Sequence, residues 1–153
     1  MLSLYETLVC DLKLILKNNN IKYKDIFKLI NNQKYDEIIE LINDESIHNL
    51  IENIINERER IGNSMENKLN NLLWLNDRLI QFGEEPQPSK TKALNVLKNN
   101  VFINIYDLEA EKYEKRTTKK QLQKDLKKNI DRCYSLCIAK NNPTLKCFLI
   151  TSY

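Results

Sequence analysis

Apolar residues recur every three or four positions along most of this chain, which is the spacing of amphipathic α-helices. The first group of this kind is Leu4, Leu8, Leu12 and Ile15. Ser3 and Glu6 have the capping-box spacing at its start, so the pattern predicts a helix over residues 4–17. Three asparagines at 18–20 should end this helix, because their side chains compete for backbone hydrogen bonds and favour turns.

The next part of the chain continues the same pattern. Two short helices are predicted around residues 26–30 and 35–42, with a pair of asparagines between them. A clearer amphipathic helix follows, for which Ser46 is a suitable N-cap and Gly62 a suitable left-handed C-cap.

A further helix is predicted from Ser64 to Gly83, and we expect its Trp74, the only tryptophan of the chain, to anchor the core. Residues 84–88 contain two prolines and cannot continue a helix, because proline lacks the backbone N–H. They are predicted to form an exposed connector, after which Ser89 starts the helical pattern again.

Residues 101–106 are β-branched and aromatic, which favours a strand. A lone strand among helices has no partner for its backbone groups, so we interpret this stretch as an extended lead-in to a helix that starts near Asn104. Asn104 and Asp107 have the spacing of an N-cap and a first-turn acid. A recognition site is the alternative interpretation of these two residues.

A basic helix is predicted near residues 118–140. Its apolar face consists of Leu122, Leu126, Ile130, Cys133 and Cys137. Its opposite face consists of Lys120, Lys124, Lys127, Lys128 and Arg132. Two asparagines and Pro143 stop this helix, and the residues beyond are expected to be irregular or helical.

These patterns predict an all-α protein with a single compact domain of about six to eight helices. Scarcity of glycine and proline, with two and three residues among 153, argues against a β-sandwich. The helices centred on residues 47–61, 69–80 and 122–138 should form the core.

Charge is unevenly distributed along the chain. The formal net charge is only +3. Residues 112–146 hold eleven basic and three acidic residues, a local net charge of +8, whereas residues 1–111 have a net charge of −5. The basic face described above is therefore the candidate site for a partner, and we expect that partner to be a protein.

RNA, including a ribosome, is the alternative partner. Lysine and arginine on the basic helix could neutralise phosphates, and Tyr106, Tyr113 and Tyr134 could offer stacking surfaces. A solvated helix face without a partner would show the same charges.

No catalytic motif is apparent, and no cofactor is expected. The chain lacks the clustered glycines of nucleotide-binding loops. His48, the only histidine, is interpreted as structural, and the two carboxylate groups, residues 36–40 and Glu57 with Glu59, as solvated faces. The cysteines Cys133, Cys137 and Cys147 are expected to be core residues, with a zinc site or a redox role as alternatives, so no metal site is predicted.

The N-terminal stretch is not expected to be a signal peptide, because charged residues interrupt its apolar run. No apolar run approaches the length of a membrane span. The expected location is therefore intracellular, in the cytoplasm or the nucleus, with reduced thiols and no membrane contact.

Residues 54–113 resemble a group of small fungal proteins of unknown function. The resemblance rests on Asn56, Glu57, Arg58, Gly62, Trp74, Gly83, Pro86, Lys92, Ala93, Leu94 and the run from Val101 to Leu108. The run over residues 104–108 is its most specific part, and the spacing between Gly62 and Trp74 is longer here than in the group. The resemblance implies a helical, cytosolic or nuclear eukaryotic protein and implies no reaction.

Overall fold

Helices account for all the regular secondary structure of the residues described, as the sequence predicts. A computed structural model describes the backbone of residues 1–152 and the side chains of residues 1–149. Within those residues the nearest approach to a sheet is one isolated antiparallel bridge between Phe102 and Thr117. The α-helices are α1 (Leu4–Asn18), α2 (Tyr23–Asn31), α3 (Tyr35–Leu41), α4 (Glu45–Leu69), α5 (Leu72–Gln81), α6 (Lys90–Asn100), α7 (Ile105–Glu109), α8 (Lys119–Lys128) and α9 (Pro143–Ser152).

The described chain contains nine α-helices rather than the six to eight expected, because the residues from Pro143 onward, expected to be irregular or helical, form the helix α9. Two short 3-10 turns, Tyr113–Lys115 and Ile130–Arg132, complete the regular structure of this part of the chain. None of the helices described is long and apolar enough to cross a membrane.

Three predicted helix starts are confirmed by their capping hydrogen bonds. The hydroxyl of Ser3 accepts from the backbone N–H of Glu6 at 3.2 Å, and that of Ser89 accepts from Lys92 at 3.3 Å. The side chain of Asn104 accepts from the N–H of Tyr106 at 2.9 Å, so Asn104 is the N-cap of α7. These bonds satisfy N–H groups that have no partner within the helix.

The predicted boundaries of α4 are wrong at both ends. Asp44 provides the cap, accepting from the N–H groups of Ser46 and Ile47 at 2.9 and 3.3 Å. Gly62 and Ser64 both lie inside the helix, which continues to Leu69. Glycine at 62 serves packing rather than helix termination, because a Cβ there would collide with the side-chain hydroxyl of Tyr134.

The end of α5 follows the prediction. Gly83 has φ = +81°, a left-handed conformation that glycine adopts without steric cost. The N–H of Gly83 donates to the carbonyl of Ile80 and that of Glu84 to the carbonyl of Leu79, which is the hydrogen-bond pattern of a Schellman motif. The connector 84–88 follows, and the amide of Asn76 bonds both backbone groups of Gln87, at 2.8 and 2.9 Å.

The described backbone forms two compact units. The first contains residues 1–60 and 129–133, and the second contains residues 61–128 and 134 onward. Residues 45–60 of α4 belong to the first unit, and residues 61–69 belong to the second. The core of the first unit consists of Tyr5, Val9, Leu12, Leu16, Ile26, Phe27, Ile30, Ile38, Ile42, Ile47, Ile51 and Ile54. The core of the second unit includes Ile61, Met65, Leu69, Leu75, Leu79, Ala93, Leu97, Val101, Ile103, Ile105, Tyr106, Leu108, Leu122, Tyr134, Ala139, Leu145, Phe148 and Leu149.

Two core predictions need correction. Trp74 is half-buried rather than fully enclosed, and the guanidinium carbon of Arg78 lies 5.5 Å from its ring centroid. The predicted helix over residues 118–140 ends at Lys128. Beyond Lys128 the carbonyls of Ile130 and Asp131 accept side-chain hydrogen bonds from residues distant in sequence, and these bonds replace the helical ladder.

Candidate partner-binding surface

Four lysines of α8 form one exposed row, which we call the lysine ridge: Lys120, Lys124, Lys127 and Lys128. At about 100° of rotation per residue, these positions fall within an arc of about 100° on the helix. The buried Leu122 and half-buried Leu126 lie on the opposite side of α8, which belongs to the second unit. The sequence therefore predicted this face correctly for four of the five proposed residues.

The ridge is electrostatically unpaired within the part of the chain whose side chains are described. No ion pair or hydrogen bond joins any of its four ammonium groups to that part. The one acidic residue of α8, Asp125, lies to the side of the ridge and accepts a hydrogen bond from Gln121 at 2.8 Å. The ridge thus presents four positive charges over about 12 Å of helix length.

Arg132, the fifth predicted residue, does not belong to the ridge. It lies in the 3-10 turn Ile130–Arg132 after α8 has ended, is half-buried, and belongs to the first unit. The prediction failed here because it extended a 3.6-residue period through residues whose backbone is bonded elsewhere.

Arg116 fixes the segment that leads into α8. Its guanidinium donates to the carbonyl of Phe82 at 2.5 Å and to the carbonyl of Asn100 at 3.0 Å, and it lies 3.8 Å from the carboxylate of Glu84. The adjacent Thr117 donates its N–H to the carbonyl of Phe102 at 2.8 Å. The start of α8, three residues after Arg116, is therefore anchored by several independent bonds.

An aromatic and arginine cluster reinforces this anchor. The guanidinium of Arg78 lies between the rings of Trp74 and Tyr113, 5.5 and 5.0 Å from their centroids, and donates to the Tyr113 hydroxyl at 2.6 Å. Phe82 meets Tyr113 edge-on at 5.7 Å, and Arg116 lies over the Phe82 ring at 5.4 Å. Each of these three aromatic rings already contacts a cation of the same unit.

The tyrosines proposed as stacking surfaces are not available as such. Tyr106 and Tyr134 are 4 % and 2 % exposed and meet each other with ring centroids 5.9 Å apart. Tyr113 is half-buried in the cluster described above. The prediction overlooked that tyrosine at helical spacing serves a core as readily as a recognition surface.

A buried polar network in the first unit was not predicted. Arg58, 3 % exposed, donates to the Tyr5 hydroxyl at 3.2 Å and to the side-chain oxygen of Asn31 at 2.6 Å, and lies over the Phe27 ring at 5.1 Å. Tyr5 donates in turn to the backbone carbonyl of Asp131. No periodicity could have signalled this network, since its members come from four separate segments.

Titratable groups near Asp131 are shifted by this environment. Burial, reinforced by the adjacent Asp131 carboxylate, raises the pKa of the Tyr23 phenol well above its usual range. Burial also raises the pKa of the Cys133 thiol. Lys13 lies 3.7 Å from the Asp131 carboxylate and places its ammonium over the Tyr23 ring at 4.8 Å.

The cysteines do not lie in the core as expected. Cys133 is half-buried, and Cys137 and Cys147 are exposed. None of the three is joined in a disulfide, and no group of three or more metal-donor side chains occurs among the residues described.

Of the remaining candidates, His48 is half-buried and donates from Nε2 to the carbonyl of Ile42 at 2.6 Å, which fits its structural interpretation. The carboxylates of residues 36–40 and Glu59 are exposed, as predicted. Glu57 is not: it is 5 % exposed and forms an ion pair with Arg60. The pair borders a shallow groove of about 400 Å³ between α1 and α4, together with Leu4, Leu8, Asn53 and Asn56.

Comparison with protein-family models, curated proteins and solved structures finds no match for this chain.

Proposed function

We propose that this is a non-catalytic binding protein that holds a protein partner through the lysine ridge. The observation that carries the proposal is the row of four exposed, unpaired ammonium groups on one face of α8. Unpaired surface charges of one sign attract and orient a partner of opposite sign. The partner's contact surface is accordingly acidic.

Two features favour a protein over RNA. Proteins that bind single strands combine cations with aromatic faces on which bases stack, and here Tyr106 and Tyr134 are buried. The guanidinium groups of Arg78 and Arg116, which would suit bidentate phosphate contacts, are engaged within the second unit. The ridge offers lysines alone, which act as point charges.

RNA, including ribosomal RNA, remains the second candidate because the second unit is basic as a whole. It contains fifteen basic and nine acidic residues, a net charge of +6. Four lysines that neutralise four phosphates of a single strand would give a slope of about −3 for the logarithm of affinity against the logarithm of salt concentration.

Capture from a cell extract with the immobilised full chain tests the proposal. The test variant is Lys124→Glu with Lys127→Glu, and its matched control is Lys92→Glu with Lys119→Glu, which makes the same change in net charge at exposed lysines outside the ridge. We expect protein partners that persist after RNase treatment, are lost with the test variant and are retained by the control.

Two results would contradict the proposal. If RNase removes everything captured, the chain binds RNA rather than a protein. If the ridge variant and the control retain the same partners, binding occurs elsewhere on the chain. Circular dichroism of each variant establishes that a loss of binding is not a loss of helix.

A further inference from the structure

We infer that the ridge recognises one face of an acidic α-helix. This inference rests on the proposed function and adds the geometry of the partner to it. The observation behind it is the placement of the four lysines along α8, at positions i, i+4, i+7 and i+8.

Spacing along the ridge is set by the helix itself. With a rise of about 1.5 Å per residue, the four side chains stand at about 0, 6, 10.5 and 12 Å along the axis. A second α-helix places its side chains at the same intervals, so carboxylates at i, i+4, i+7 and i+8 form a row of equal length. The row of four lysines and the row of four carboxylates can then face each other over their whole length in one orientation of the partner helix.

The surroundings of the ridge favour an elongated partner. The buried side of α8, with Leu122 and Leu126, faces away from the ridge, and all four residues of the ridge are exposed. The ridge is therefore the outer, convex surface of a helix, on which a straight partner can lie along the axis.

The ridge is also held in place before a partner arrives. Arg116 and Thr117 fix the approach to α8 through the carbonyls of Phe82, Asn100 and Phe102. The hydroxyl of Thr118 accepts from the N–H of Gln121 at 3.2 Å and caps the helix. A helix whose backbone is already ordered loses less conformational entropy when a partner docks on it.

Two synthetic peptides separate matched geometry from charge alone. Both are alanine-rich helices with the same composition and four glutamates. In the first, the glutamates occupy i, i+4, i+7 and i+8, and in the second they are spread around the helix. Circular dichroism establishes equal helicity, and fluorescence anisotropy measures binding to the full chain at about 50 mM salt, where surface charges are weakly screened.

We expect the first peptide to bind about five-fold more tightly than the second, because it forms about two more ion pairs, each of modest strength. The Lys124→Glu, Lys127→Glu variant should abolish the difference between the peptides. The Lys92→Glu, Lys119→Glu control should preserve it.

The other outcomes are distinguishable from one another. Equal affinity for the two peptides overturns the helical geometry and leaves the acidic protein partner of the proposed function standing. A short oligouridylate with four phosphates serves as the third probe. If it binds through the ridge while neither peptide does, both the inference and the proposed function are wrong, and they are equally wrong if none of the three probes binds.

Discussion

Arg58 carries a full positive charge at a position that is 3 % exposed. Burying such a charge is costly unless its donors are bonded, and here Tyr5 and Asn31 accept from it while the Phe27 ring lies against its face. A guanidinium suits this position because its planar fork bonds in two directions at once and stacks on an aromatic ring.

Replacement of Arg58 should therefore be costly, whichever residue takes its place. We expect Arg58→Ala to lower the free energy of unfolding by about 2 to 4 kcal/mol, because it opens a cavity and leaves buried polar groups without their donor. Arg58→Lys should recover only part of this loss. Urea unfolding measures both, with the exposed Lys24→Ala as a control that should change stability by less than about 0.5 kcal/mol. An equally small change for Arg58→Ala would contradict this account.

Gly62 is the second residue whose type is determined by packing. Its missing side chain makes room for the hydroxyl of Tyr134, and the amide nitrogen of Asn142 would lie 3.2 Å from an added Cβ. We expect Gly62→Ala to destabilise the fold by about 1 to 3 kcal/mol from overpacking, despite the better helix propensity of alanine. Adding Tyr134→Phe removes the colliding oxygen, so a double-mutant cycle should show a favourable coupling between the two changes. Simple additivity would show that the collision is not the cause.

Tyr23 should make stability fall at alkaline pH. Its pKa is raised in the folded state, whereas in the unfolded chain it loses its proton near pH 10. Above that pH the unfolded state binds fewer protons than the folded state, so the free energy of unfolding declines as pH rises. Below that pH, Tyr23 is protonated in both states, and its contribution to the free energy of unfolding does not change with pH.

The measurement is denaturant unfolding between about pH 8 and pH 11, for the wild type and Tyr23→Phe. The remaining tyrosines titrate in both proteins, so the difference between the two curves isolates Tyr23. We expect the wild type to lose stability more steeply above pH 10. Parallel curves would show that Tyr23 ionises as readily in the folded protein as in the unfolded chain.

At the level of elements, α9 depends on a cap supplied by another helix. Glu66 of α4 accepts from the N–H of Thr144 at 3.1 Å and from that of Leu145 at 2.8 Å, one bond to each carboxylate oxygen. The negative charge of the Glu66 carboxylate also interacts favourably with the positive, N-terminal end of the α9 dipole.

Loss of this cap should loosen the start of α9 in particular. We expect Glu66→Ala to cost about 1 to 2 kcal/mol and to accelerate amide exchange at Thr144 and Leu145. Glu66→Gln keeps one acceptor oxygen and should fall between the wild type and Glu66→Ala. Hydrogen exchange of the three proteins measures the order, and unchanged protection at these two amides in Glu66→Ala would contradict it.

Local patterns predicted the elements better than their ends. Ser3, Ser89 and Gly83 act within one turn of their own helix, so their roles follow from neighbouring residues alone. Gly62 shows the opposite case, because its role depends on Tyr134, which lies 72 positions further along the chain.

The same distinction between local pattern and distant contacts explains which parts of the candidate site could be predicted. Helical periodicity was sufficient to place Lys120, Lys124, Lys127 and Lys128 on one exposed face. The end of that helix could not be predicted from periodicity, because long-range bonds from Tyr5 and Asn31 take the backbone carbonyls of residues 130 and 131. The half-buried Trp74 likewise shares its cation, Arg78, with Tyr113, a residue distant in sequence.

For the molecule as a whole, we expect partner binding and folding stability to depend on different residues. The ridge is exposed and unpaired within the described chain, so reversal of its charges removes no contact found there. We expect Lys124→Glu with Lys127→Glu to change the free energy of unfolding by less than about 1 kcal/mol, even where partner capture is lost. Thermal and urea unfolding measure this, with Lys92→Glu and Lys119→Glu as the matched pair. A larger loss would show that the ridge lysines support the fold itself.

The position of residues 129–133 in the first unit has a consequence for the order of events during synthesis. Tyr5, Lys13 and Asn31 are translated early, but their partners Ile130 and Asp131 emerge about seventy residues after that unit's other segment has been made. At 5 to 20 residues per second this interval is roughly 4 to 14 s. During that interval the nascent first unit lacks the carbonyl acceptors of Tyr5 and Asn31, and it is then that a chaperone would find the chain most accessible.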